Sequence, residues 1–158
     1  MRERLFRAFH PTEQGKNIIK INGKAIKGEW IEGKNVFIDD KNEKAEMLFG
    51  YTNYRISYEV IPETICEYAG LTDKNGNKIF EGHIVRLTPP KESNEVYVPT
   101  PHNPNEDRIL EVVFFDGMFA VNMRKWFKYG HGRVQLGSYE TERLEVIGNI
   151  YDNPELLK

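Results

Sequence analysis

The chain has 158 residues and a mass of 18.5 kDa, enough for one ordinary domain or two very small ones with a core of their own, which excludes a miniprotein that needs staples. Hydrophobic residues make up 39%, charged residues 29% and aromatic residues 12%, with 13 Gly and 8 Pro, a globular and turn-rich composition rather than a disordered, collagenous or coiled-coil one. A net charge of −2 excludes a protein that coats DNA by bulk charge and leaves room for a local basic patch.

Cys66 is the single cysteine, so one chain can build neither an internal disulfide nor a cysteine-based zinc site, and a reducing compartment fits. The charged opening Met1 to Arg7 is followed by no apolar stretch of the kind a signal peptide carries. The longest strongly apolar run, Val112-Val113-Phe114-Phe115, falls far short of the roughly 20 residues of a membrane-crossing helix. A cytoplasmic protein without membrane contact is the expectation.

In chain order, β-branched and aromatic residues recur in short runs separated by Gly, Asn and Asp, the signature of a mainly β fold. The segments 17–21 and 24–27 flank Asn22-Gly23, a dipeptide suited to the two positive φ angles of a tight hairpin. The charged stretch from Asp39 to Leu48 fits either a short helix or an exposed loop. Strands are expected at 65–68, 78–80 and 83–88 around the turn Asp73-Lys74-Asn75-Gly76. The segment 88–108 holds five prolines without periodicity and reads as a long loop. Residues 109–115 and 118–123 flank Asp116-Gly117, and pairing outward puts Leu110, Val112, Phe114, Phe119, Val121 and Met123 on one face, the expected core. The opposite face, Glu111, Val113, Phe115, Met118, Ala120 and Asn122, is mixed and suits a second layer or a partner chain. The last strand, 144–151, is interrupted by Gly148, where a bulge is expected, and Asn153-Pro154-Glu155 opens a final helical turn with Asn153 as its cap.

The stretch Glu67-Tyr68-Ala69-Gly70-Leu71-Thr72-Asp73-Lys74-Asn75-Gly76-Asn77-Lys78-Ile79-Phe80-Glu81-Gly82 closely resembles the central signature of the YopX family of phage and prophage proteins. Phe6-Arg7-Ala8-Phe9 is similar to that family's opening motif, and the run from Glu145 to Leu156 to its closing motif. The resemblance implies a phage or prophage accessory protein with a small β-barrel of SH3 type, in a bacterial cytoplasm, and carries over no catalytic residue. One departure is visible. The family continues Glu-Gly-Asp where this chain has Glu81-Gly82-His83.

Read from the residues alone, Asp73, Asn75, Gly76, Glu81, Gly82 and His83 are first of all turn chemistry, since hairpins select Asp, Asn and Gly whatever the function. The compositional anomaly is the segment 124–133, which holds Arg124, Lys125, Lys128 and Arg133, no acidic residue, and the aromatics Trp126, Phe127 and Tyr129. Cations that track phosphates beside rings that stack bases are the parts of a single-stranded nucleic-acid site. The plainer reading is that the rings cover core while the Arg and Lys stems lie over them. His10, His83, His102 and His131 are scattered, without the spacing of a metal clamp, no phosphate-binding glycine loop is present, and Cys66, which with a His could form a nucleophile pair, reads as a small buried apolar residue of a strand. The expectation is a hairpin-rich part over 1–61 followed by an SH3-like barrel over 62–158. It is expected to act by binding rather than catalysis, without a cofactor, as a homo-oligomer that contacts phage or host protein. Single-stranded DNA or RNA binding by Arg124, Lys125, Trp126, Lys128, Tyr129 and Arg133 is the alternative.

Overall fold

The computed structural model describes residues 4–49, 56–90, 106–123 and 132–158. The fold is mainly β. Its thirteen described strands and four short 3-10 turns divide into two compact units, 1–70 and 71–158.

In the first unit, β1 (Phe6–Pro11) pairs antiparallel with β3 (Lys24–Gly33), which pairs in turn with β2 (Asn17–Ile21). The β2–β3 hairpin turns on Asn22 and Gly23 at φ 50° and 79°, the doubly positive geometry expected from the dipeptide. On its other side β1 pairs with the start of β7 (Cys66–Thr72), Phe6 opposite Glu67 and Arg7 opposite Cys66. A second sheet is built from β4 (Asn35–Asp39), β5 (Lys44–Phe49) and β6 (Ile56–Val60) in that order. The two sheets meet over Ala8, Ala45, Met47 and Val60, with Phe6, Ile31, Val36 and Ile65 packed around them. The 3-10 turn Pro62–Thr64 ties down β1: Phe9 N–H donates to Thr64 Oγ1 at 2.9 Å, and that hydroxyl donates to the Ile61 carbonyl at 2.7 Å.

The stretch from Asp39 to Leu48 is neither helix nor open loop. It forms the β4–β5 turn and most of β5, because Ala45 and Met47 alternate inward while Lys44 and Glu46 face water.

The second unit contains β8 (Lys78–Phe80), β9 (His83–Leu87), β10 (Arg108–Phe115), β11 (Met118–Asn122), β12 (Arg133–Gln135) and β13 (Leu144–Asn149). The last five form one antiparallel sheet in the order β12-β11-β10-β9-β13. Asp116 and Gly117 turn the β10–β11 hairpin at φ 51° and 77°. Leu110, Val112, Phe119, Val121 and Met123 are buried as the pairing predicts, whereas Phe114 is 48% exposed. It sits one pair from the hairpin tip, where the inward phase continues past the end of the covering layer. The expected bulge lies in β13, between Val146 and Gly148. Asn153 does not cap the closing turn Pro154–Leu157 through its side chain. Its amide lies against Gly148 instead, where a Cβ would come within 2.5 Å of Asn153 Oδ1.

Candidate interaction surface

The motif turn residues form a tightly bonded structural knot. Asp73, only 4% exposed, accepts hydrogen bonds from Asn75 N–H, Asn77 N–H and Asn77 Nδ2 at 2.9, 2.8 and 3.2 Å and from Val146 N–H at 2.9 Å. Burial pushes its carboxyl up, but the donors Val146, Asn77 and Asn75 together outweigh that and hold it below the ordinary carboxylate range. Gly76 N–H closes the turn on the Asp73 carbonyl, and Lys74 N–H reaches the Leu144 carbonyl. Lys74 Nζ and Arg86 both reach Glu145 Oε2, at 2.8 and 3.3 Å.

Glu81 and Gly82 make the two-residue turn between β8 and β9, with Gly82 at φ 75°. Gly82 N–H donates to the Val112 carbonyl, and its own carbonyl receives Ile150 N–H at 2.9 Å. The central and closing motifs are thus stitched together across β9 and β13. His83 is buried, edge-on to the Phe80 ring at 5.5 Å, and its Nδ1 accepts a long 3.4 Å hydrogen bond from Phe80 N–H. In the closing motif, Asn149 Oδ1 receives Tyr151 and Asp152 N–H, and its Nδ2 donates to Asp152 Oδ2 at 2.7 Å.

Of the basic-aromatic segment, Arg124, Lys125, Trp126, Lys128 and Tyr129 lie outside the described residues. Its base is pinned by the hydrogen bond from Met123 N–H to the Gly132 carbonyl. Arg133 is described. It pairs with Asn122 on the outer face of the sheet, and its guanidinium lies 3.9 Å from the Phe115 ring centroid, with Nε buried and making no hydrogen bond. A ring face attracts a guanidinium through its quadrupole. Beside this contact Phe115 and Met118 are 37% and 40% exposed, and Phe114 is 48% exposed on the other face of the hairpin, so both faces of the tip expose apolar side chains, one of them with a cation.

Three residues went unnoticed in the sequence. Arg108, Tyr139 and Arg143 gather at the opposite end of the sheet from that tip. Arg143 Nε donates to the Thr88 carbonyl at 3.0 Å, its guanidinium sits 5.9 Å from the Tyr139 ring centroid, and the Tyr139 hydroxyl lies 3.6 Å from Met123 Sδ. Burial depresses the pKa of the Arg108 guanidinium, with Tyr139 opposing and the Arg143 charge adding to the depression. Burial raises that of the Tyr139 phenol against both cations. The available signal was Arg108 itself, which stands in phase with the inward-facing Leu110 and Val112.

In the first unit the exposed large apolar side chains are Ile18, Phe37, Ile38, Ile56 and Tyr58, four of them on the β4-β5-β6 sheet. Among the described residues, no group of three or more His, Cys, Asp or Glu side chains can hold a metal ion. Among the described residues, no helix is long and apolar enough to cross a membrane.

A family model described as "YopX protein" matches residues 5–158. The SPbeta prophage-derived uncharacterized protein YopX of Bacillus subtilis (strain 168) is 34% identical over 84 residues. That alignment covers 52% of this chain and 52% of that protein, so the match spans about half the length of the curated relative. Two solved structures are similar. Protein EF1440 from Enterococcus faecalis superposes with a TM-score of 0.49 at 24% identity, covering 98% of both chains. Protein YopX from Bacillus subtilis superposes at 0.48 and 20% identity, covering 100% of this chain and 98% of that one.

Proposed function

The chain belongs to the YopX family, and from that premise we propose that it is a prophage-encoded accessory protein of the bacterial cytoplasm that acts by binding, as a module that assembles with copies of itself. The observation that carries this reading is the exposure of large apolar side chains on sheet surfaces, Phe37 and Ile38 at 60% and 58% in the first unit and Phe114 at 48% in the second. Burying such surface against protein is favourable in proportion to the apolar area removed from water. Phe37 and Ile38 are neighbours on β4 and point to opposite sides of it, so both faces of that strand are exposed, and Phe114 is exposed although it stands in the inward phase of β10.

For the second unit we infer an SH3-type barrel. In its favour are the five-stranded antiparallel order, the return of the last strand β13 to the first strand of that sheet, β9, and the 3-10 turns that precede β13. No residue is assigned a catalytic role. Light scattering on the full chain over a concentration series tests the assembly. The expected weight-average mass climbs above 18.5 kDa as concentration rises. A mass that stays at the monomer value at every concentration contradicts the reading.

A second reading, single-stranded nucleic-acid binding, is favoured by one observation: Arg133, the last cation of the basic-aromatic segment, already lies on an aromatic face at the protein surface. Cations combined with stacking rings are what such sites are made of.

A further inference from the structure

We propose that strand β4 is a self-pairing edge, at which two copies of this chain join antiparallel about a two-fold axis through Phe37. The proposal deepens the self-assembly reading and rests on it.

An unpaired strand edge is a template for another strand, and proteins usually blunt it with a Lys, a Pro, a bulge or extreme shortness. Most of the described edges follow that rule. β2 carries Lys20 and β12 has three residues, while β13 is bulged at Val146/Gly148. At the other side of the β4 sheet, β6 leads straight into a backbone hydrogen bond from Ile61 N–H to the Phe9 carbonyl of β1. β4 has none of these devices. Its five residues, Asn35-Val36-Phe37-Ile38-Asp39, include no Lys and no Pro, its ladder with β5 runs without a register break, and among the described residues β5 is its only strand partner. Phe37 and Ile38 are 60% and 58% exposed on it.

The occupant follows from the strand's own sequence. Antiparallel pairing centred on Phe37 sets Phe37 against Phe37, Val36 against Ile38 and Asn35 against Asp39 of the second copy. It also sets the exposed Lys34 against the exposed Asp40 at both ends. Two ion pairs then bracket an apolar centre, and each exposed Ile38 is covered by a Val36 that already borders the core cluster. Sliding the register by two residues sets Lys34 against Ile38 or Asn42, and Asp40 against Glu32 or Val36, so the Lys34–Asp40 ion pairs across the two-fold are lost. A one-residue slip turns every side chain to the wrong face. The interface is self-complementary, as a two-fold requires.

A charge-swap cycle on the full chain tests this, with dimer dissociation constants read by sedimentation velocity. Lys34→Asp and Asp40→Lys each convert two attractive contacts into two repulsive ones, and each is expected to weaken dimerisation about tenfold. The double variant Lys34→Asp/Asp40→Lys restores opposite charges and is expected to return to within about threefold of the wild type. Circular dichroism confirms that all four proteins are folded. If the chain associates but the single variants leave the dissociation constant unchanged, or the double variant fails to rescue, the β4 pairing is overturned while self-assembly stands. If the wild type does not associate at all, both fall.

Discussion

A single carboxylate holds the central motif to the closing one. Asp73 takes three backbone N–H groups and one side-chain amide, and Val146 N–H belongs to the strand that carries the closing motif. Asp73→Ala leaves those donors without their acceptor in a buried place, which is expected to destabilise folding by about 2–4 kcal/mol. The sign with pH follows from the depressed folded pKa. This contribution is fully present above the ordinary value of 3.8 and is lost as pH falls through the lower folded value. Urea denaturation of wild type and variant at neutral and acidic pH checks both parts. The gap is expected to be wide at neutral pH and to narrow in acid, and a gap of equal size at both contradicts the role given to the charge. The Asp-x-Asn-Gly turn was legible in the sequence as a turn. Its long-range partner, 73 residues further on, was not, because no local pattern encodes which strand a carboxylate will reach.

At the scale of elements, the β10–β11 hairpin joins both readings of function, since its tip carries Phe114, Phe115 and Met118 and Arg133 of the neighbouring β12 lies over its Phe115. Fluorescence anisotropy with labelled single-stranded DNA over a salt series isolates the second reading. That reading expects saturable binding whose log affinity falls with log salt, with the slope reduced by about 1 in Arg133→Glu for one lost phosphate contact. No binding at low salt removes it. The hairpin shows where element-level inference from sequence holds and where it stops. Asn22-Gly23 and Asp116-Gly117 were legible because a two-residue loop demands positive φ at both positions. Phe114 was misplaced because period-2 alternation says which face a side chain takes, not where the covering layer ends. The β5 strand hid inside Asp39 to Leu48 because dense charge and good helix formers mask an inward pair as small as Ala45 and Met47. Arg108 escaped because a cation in the inward phase of a strand looks like an error in the pattern until a partner such as Tyr139 is placed beside it.

For the molecule as a whole, the residues that mark the family are accounted for by architecture. The opening motif lies in β1, where Ala8 and Phe9 are buried, and the central and closing motifs bond to each other through Asp73, Lys74 and Gly82. Among the described residues, the β4 edge and the β10–β11 tip expose large apolar side chains. The apolar part of such contacts is not screened by salt and exposed ion pairs beside it contribute little, whereas contacts to phosphate weaken steeply with salt. The most direct test of assembly through apolar surface is therefore the weight-average mass of the full chain at fixed concentration across a salt series. A mass above 18.5 kDa that is retained from low to high salt is the predicted result. A mass that collapses to the monomer value as salt rises contradicts it.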